Sequence, residues 1–374
     1  MRLSLISVGP PYRGGISDLS TLIYQELARD HELQFINYSR QYPKVLFPGK
    51  TEYKLGAKLS ENFSDRIIDS INPLTWLHAA ARIKAFKPDA VVFRYWNPFF
   101  APLINIISGS LSRAGIKVAI LIDNLIPHEK SFLDIWMAKR VLAHADIVFS
   151  MSKAVSQDVL VLAPQIRIKT LFHPLYEIYQ SVHTQAESRI KLGLASQPVI
   201  LFFGLIRPYK GLDILIRALG TIHEKLGDYS ALIAGEAYED AQKYLDLINS
   251  EGISSNVVFR NEFIADDELA LYFAACDVLV LPYKTATQSG IVGIAFQMDR
   301  PVIATDVGGL GEYIEDGITG YLVAPEDPET LGRTILKFFK DDDRFRMIQN
   351  VKDRKQRFSI KNFCQSMIQE LISE

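Results

Sequence analysis

Cysteine is nearly absent: 374 residues hold only Cys276 and Cys364, with no CxxC and no metal-ligand spacing. A disulfide framework is excluded as the basis of the fold, no metal is expected, and a reduced, cytoplasmic chain is. No charge of either sign dominates. Lys and Arg total 41 against 43 Asp and Glu, a formal net charge of −2. That balance lacks the global basic footprint of a nucleic-acid binder, so nucleic acid is not expected as a partner, while a local basic patch stays open. Long apolar runs are missing too. The longest candidate, "FFAPLINIISGSL", is interrupted by Pro102 and Asn105 and falls short of the roughly 18 residues of a spanning helix. The N-terminal "MRLSLISVGPPYRGG" is too short in apolar residues for a secretory signal and breaks at Pro-Pro. Any membrane contact is therefore expected to be peripheral, on the inner face. A GxGxxG dinucleotide fingerprint is also absent.

What is present is the punctuation of an α/β protein. The length favours two domains over one core. Hydrophobic residues at 48% and charged residues at 22% fit a soluble globular chain. Short β-rich runs alternate with helix-like segments: "RLSLISV", "ELQFINY", "AVVFRY", "KVAILID", "IVFSMS" and "RIKTLF", then "PVILFFG", "SALIAGE", "NVVFRN", "VLVLPY", "PVIATDV" and "GYLVAP". Most are apolar throughout, as strands covered on both faces must be. Asn72-Pro73 and Asp327-Pro328 read as an N-cap followed by a first-turn proline, and Asp266 opens another helix. The pattern predicts two doubly wound α/β domains, at 1–178 and 190–355. The tail 356–374 carries Phe363, Met367 and Leu371 in one row and Cys364, Ile368 and Ile372 in the next, one apolar helix face expected to pack back on the first domain. Residues 40–77 break the alternation with a long connection rich in Pro, Gly and aromatics.

Chemistry is expected where loops leave strands. In "FFGLIRPYKGLDILIRAL" a strand ends at Gly204, Arg207 and Lys210 follow, and a helix starts after Gly211. Cations beside free helix N–H groups suit a phosphate or diphosphate. In "LPYKTATQSGIVGIAFQ" a second strand-to-helix turn presents Thr287, Gln288, Ser289, Gly290 and Ile291; successive N–H groups there suit an anion, and an ordinary helix cap is the other reading. Gly14 and Gly15 lie between the first strand and first helix, at the sheet edge where ligands bind in such folds. Asp123, Asn124, His128 and Glu129 follow another strand, and His173 precedes the domain boundary.

These segments, with "LIAGE", "FAACDVLVLPY" and "RPVIATDVGGLGEYIEDGITGYLV", resemble the retaining GT-B glycosyltransferases of the group 1 class, family four, over nearly the whole chain. "TATQSGIVGIAF" further resembles a bacterial subgroup carrying an ATQSG turn. The resemblance implies two Rossmann-like domains facing across a cleft, with a UDP- or GDP-linked sugar on the second and the acceptor on the first. It implies Lys210 and Arg207 at the diphosphate, and Gly14, Gly15, Gly204, Gly235, Glu236 and the 287–291 turn around the donor. Asp123 and His128 are then placed for catalysis and Asn124 and His173 for the acceptor, a glycan or lipid-linked sugar of cell-surface polysaccharide or glycolipid synthesis. No cofactor is required. Three positions depart from the family pattern. Leu205 stands where an Arg is usual, with Arg207 two residues on. Asp123 stands where a His is usual. The two glutamates of the family turn are replaced by Ala286 and Ile294, or by Thr287 and Ala295 in the other alignment. A catalytically inactive GT-B-like binding subunit and a nucleotide-sugar epimerase therefore stay open beside the transferase.

Overall fold

The computed structural model describes residues 1–43, 53, 64–125, 132–180, 182–194, 197–286, 289–341 and 343–373. They divide into two compact units, Met1–Pro174 with Ile360–Glu374, and Leu175–Ser359. Each is an α/β unit on a parallel sheet, the class the alternation predicts.

The first unit runs β1 (Arg2–Ile6), α1 (Gly15–Leu27), β2 (Glu32–Arg40), β3 (Asp65–Asp69), α2 (Pro73–Phe86), β4 (Ala90–Tyr95), α3 (Ala101–Ser112), β5 (Lys117–Ile122), α4 (Phe132–Leu142), β6 (Ile147–Ser150), α5 (Lys153–Leu162) and β7 (Ile168–Thr170). The sheet order is β3-β2-β1-β4-β5-β6-β7. The order reverses beside β1, so the loops after β1 and β4 flank the switch point where a ligand crevice forms. Val118, Ile120 and Ile122 of β5 are fully buried alongside Val91 and Phe93 of β4. Each such side chain contributes about 1.5–3 kcal/mol by leaving water. Asn72 caps α2 by accepting from Leu74 N at 3.1 Å, with Pro73 as first residue.

The second unit runs α6 (Gln185–Lys191), β8 (Val199–Phe203), α7 (Leu212–Leu226), β9 (Ser230–Ala234), α8 (Gln242–Ser250), β10 (Val257–Arg260), α9 (Asp266–Ala275), β11 (Val278–Leu281), α10 (Gly290–Gln297), β12 (Val302–Thr305), β13 (Gly320–Val323), α11 (Pro328–Lys340) and α12 (Asp343–Arg354). Its order is β10-β9-β8-β11-β12-β13, again switching beside the first strand. Buried Asp277 ties the start of this unit together. It accepts from Val199 N at 2.8 Å and Arg189 Nη2 at 2.7 Å, which holds α6 against the sheet. Leu175 N donates to Phe358 O at 2.9 Å, so the two ends of the unit meet.

The final helix, α13 (Ile360–Ile372), belongs to the first unit. Phe363, Cys364, Met367 and Leu371 are buried, while Ile372 is exposed at the fraying end. Phe363 meets Phe172 edge-on at 5.9 Å, and Arg167 and Lys169 each reach Glu370 at 2.9 Å. Neither cysteine forms a disulfide, and both are buried.

Candidate functional site

In the second unit the loops after β8 and β11 converge. Gly204 ends β8 at φ +107°, and a Cβ there would stand 3.1 Å from Lys210 Nζ and 3.6 Å from Ile291 Cδ1. The glycine therefore makes room for the lysine head. Pro208–Lys210 form one 3₁₀ turn, which folds Lys210 inward to 9% exposure while Arg207 stays exposed. Lys210 Nζ lies over the Tyr283 ring at 5.2 Å, and among the described residues no carboxylate pairs with it. The Tyr283 hydroxyl reaches Ser289 Oγ at 3.5 Å. Gly211 must be glycine: its φ is +67°, and a Cβ would come within 2.0 Å of Pro282 O. Gly235 is held as tightly, its Cβ position 2.0 Å from Gly204 O. Lys284 closes the turn, its Nζ 2.9 Å from Asp213 and its N–H donating to Tyr209 O at 2.7 Å.

The result is a cradle of one sign. Gly204, Lys210, Gly235, Ser289 and Ile291 are brought together. Gly290 opens α10, packed under the Tyr176 hydroxyl; Val292 N donates to Ser289 O at 3.3 Å, while the N–H groups of Gly290 and Ile291 have no intrahelical acceptors. Ser289 caps without a side-chain bond. An anion would find a buried ammonium, free N–H groups and a helix dipole there. Arg207 stands beside the cradle, its guanidinium over Tyr238 at 5.0 Å. Glu236 contributes its carbonyl, which accepts from Ile206 N at 2.9 Å and fixes the loop. Thr287 and Gln288 lie outside the described residues.

In the first unit the equivalent edge centres on a residue that sequence reasoning passed over. Arg94, in the apolar strand β4, is 2% exposed. Its Nε and Nη2 donate to Asp123 Oδ2 and Oδ1 at 2.7 and 2.6 Å, and its Nη1 donates to Ile16 O at 2.7 Å and Ser20 Oγ at 2.9 Å. Both oxygens of Asp123 are thus engaged by the Arg94 guanidinium. The network ties the end of β5 to the start of α1, directly behind Gly14 and Gly15. Gly14, at φ +105°, caps α1 with open space around it. His173 is buried, with Nδ1 3.2 Å from Pro174 O. Burial drives its pKa down to about 4, against the opposing pull of Asp123. Asn124 Oδ1 is buried without a hydrogen-bond partner among the described residues. His128 and Glu129 lie outside the described residues. The one signal for Arg94 in the sequence is a charge inside "AVVFRY".

Two doubly wound α/β units, the second with a cationic, glycine-lined strand edge, define a protein of the GT-B class. Residues 197–341, less than half of the chain, match the family model "Glycosyl transferases group 1". Among relatives, an uncharacterized glycosyltransferase of Methanocaldococcus jannaschii is 29% identical over 52% of this chain and 51% of that protein. The GDP-mannose-dependent alpha-(1-6)-phosphatidylinositol monomannoside mannosyltransferase of Mycolicibacterium smegmatis is 27% identical over 90% of this chain and 88% of its own. The chain thus spans about half the length of the first relative and most of the second. HepE of Anabaena, solved in complex with UDP, superposes with a TM-score of 0.76 over 99% of both chains at 19% identity, a likeness of fold.

Proposed function

We propose that the chain is a glycosyltransferase that moves a sugar from a UDP- or GDP-linked donor to a glycan or lipid-linked acceptor, with retention of anomeric configuration. The observation that carries this reading is Lys210, 9% exposed and without a carboxylate partner among the described residues, at the head of two phosphate-suited loops. Lys210 and Arg207 hold the diphosphate, and Gly14, Gly15, Gly204, Gly235, Glu236, Thr287, Gln288, Ser289, Gly290 and Ile291 bind the donor. Departure of the nucleotide leaves charge on the diphosphate. Lys210 and the α10 N–H groups meet that charge without moving, and one such contact is worth about 3 kcal/mol, roughly a hundredfold in rate. Asn124 and His173 bind the acceptor, and Asp123 and His128 act in catalysis, Asp123 through Arg94 on the Gly14-Gly15 loop. The names of the M. smegmatis relative and of the UDP-bound HepE structure support a nucleotide-sugar donor and a lipid-linked acceptor. No metal or other cofactor is required on this reading, and the site of action is the cytoplasmic side of the cell envelope.

The test is calorimetric titration with UDP, GDP and their sugar conjugates on the wild type and on Lys210→Ala. One nucleotide should bind, and the variant should lose it. Silence with every nucleotide would sink the donor site. Nuclear magnetic resonance of the product settles the anomer, and turnover in a chelator settles the metal. A second reading, a GT-B-like binding subunit, is favoured by the absence of the family glutamates at Ala286 and Ile294. Donor binding with neither transfer nor donor hydrolysis would select it.

A further inference from the structure

The helix α10 begins against a phenol brought from far away in the chain. Tyr176 stands long before Gly290 in sequence, yet both belong to the second unit. The backbone around Tyr176 is held on both sides. Leu175 N donates to Phe358 O at 2.9 Å, and Tyr179 N donates to Tyr176 O at 3.0 Å. The Tyr179 ring lies beside the Tyr176 ring, with centroids 5.9 Å apart. The Tyr176 side chain is thus fixed and 5% exposed. A Cβ on Gly290 would stand 2.8 Å from the Tyr176 hydroxyl oxygen and 3.1 Å from its Cε2. Gly290 is a helical residue outside the left-handed region, so its backbone does not require glycine; the phenol does. Two more hydroxyls share the corner, Tyr283 and Ser289 at 3.5 Å from each other, with Lys210 Nζ over the Tyr283 ring at 5.2 Å. Residues 284–291 contain no Asp or Glu.

We propose that Tyr176 is a further donor-binding residue, whose phenol O–H donates to an oxygen of the donor diphosphate at the N-terminus of α10. This rests on the reading of that corner as the diphosphate site. Glycine is a poor helix former, and here it is spent on bringing one phenol against the first residue of α10. Packing alone would be served by phenylalanine, which carries no polar atom into a buried place. What the hydroxyl adds is a hydrogen-bond donor. It stands where the N–H groups of Gly290 and Ile291 and the Lys210 ammonium also point to an anion. A bond from a neutral O–H to a phosphate oxygen is charge-assisted, so its loss is large enough to read in a binding curve.

Calorimetric titration of the full chain with UDP and GDP tests this, on the wild type, Tyr176→Phe, Gly290→Ala and the double variant. Tyr176→Phe keeps the ring and removes the donor. It should weaken the nucleotide that binds roughly ten- to hundredfold, while thermal unfolding of the nucleotide-free protein changes little. Gly290→Ala drives a methyl against the same phenol, so the two losses should combine to less than their product. Fully multiplicative losses would show that the phenol does not act at Gly290, against the proposal. Saturation-transfer nuclear magnetic resonance with uridine or guanosine alone should not tell Tyr176→Phe from the wild type; a weaker nucleoside signal in the variant would move the contact off the phosphates and overturn it. Equal nucleotide affinity in wild type and Tyr176→Phe, with or without a lower unfolding temperature, would make the phenol a packing group and leave the donor site standing. No nucleotide binding by the wild type would remove the donor site, and this proposal with it.

Discussion

Replacing Asp123 by Ala removes one half of a buried ion pair and leaves the other half in place. Arg94 then keeps two acceptors, Ile16 O and Ser20 Oγ, but loses both charged ones, at 2.6 and 2.7 Å. At 2% exposure water cannot replace them. Stranding a buried charge in this way costs about 3–5 kcal/mol, roughly a fifth or more of a typical domain's stability. Arg94→Met combined with Asp123→Leu should cost much less, since neither charge is then stranded. Arg94→Met and Asp123→Leu, singly and together, form a cycle whose coupling should exceed about 1.5 kcal/mol. The assay follows from the sequence. All three tryptophans, Trp76, Trp96 and Trp136, lie in the first unit, so tryptophan fluorescence in urea reports its unfolding alone. A loss below about 1 kcal/mol for Asp123→Ala, or a double variant no better than the single one, would refute the claim that the pair is buried and mutually dependent.

Two other consequences concern pH and backbone. His173 titrates near 4 in the folded protein and near 6.5 when unfolded. Below 6.5 the unfolded chain takes up a proton that the buried ring refuses, so stability falls as pH drops from about 6.5 to about 4 and then levels off. The full gap is on the order of 3 kcal/mol, and His173→Gln should flatten that part of the pH dependence; an unchanged slope would show that the ring is not the cause. Gly211→Ala places a methyl 2.0 Å from Pro282 O in a left-handed backbone conformation. It should cost about 3 kcal/mol and lower the calorimetric transition of the second unit; an unchanged transition would mean that the loop relaxes freely.

How far the sequence discloses the fold depends on where each residue's partners lie. Most of the twelve expected strands are readable as apolar runs because both faces of a parallel sheet are covered, and runs of that kind need no partner to be recognised, whereas the edge strands β7 and β10 have no buried residue. Strand β3 is not readable. It sits at the sheet edge, only Ile68 is fully buried, its ends are Asp65 and Asp69, and its pairing with β2 carries two register shifts. The loops around Lys210 and Ser289 are legible because glycine, cation and helix start stand together in the chain. The difference between Lys210 and Arg207 is not. Three residues apart and alike in charge, they are separated by a 3₁₀ turn that buries one and leaves the other exposed. Arg94 was missed for a related reason. Its charge shows in the strand, but its partner stands 29 residues away, and only the parallel pairing of β4 with β5 brings them to one edge.

The two buried cations invite opposite expectations. Arg94 is satisfied from within, so its pair holds the fold whether or not a ligand is present. Lys210 has an aromatic face beneath it and no carboxylate among the described residues, and that ring returns only part of what a counter-ion would give its charge. On the proposed reading the remainder is met by the donor diphosphate. Lys210→Met keeps the aliphatic stem and removes the charge. It should leave the nucleotide-free second unit as stable as the wild type or more so, and it should erase the stabilisation that saturating nucleotide confers, about 2.7 kcal/mol at a hundredfold excess over Kd. Differential scanning calorimetry with and without nucleotide reads both quantities in one experiment. If Lys210→Met instead destabilised the nucleotide-free protein and kept the nucleotide shift, the lysine would be a packing residue, and the anion would have to be held by Arg207 and the α10 N–H groups alone.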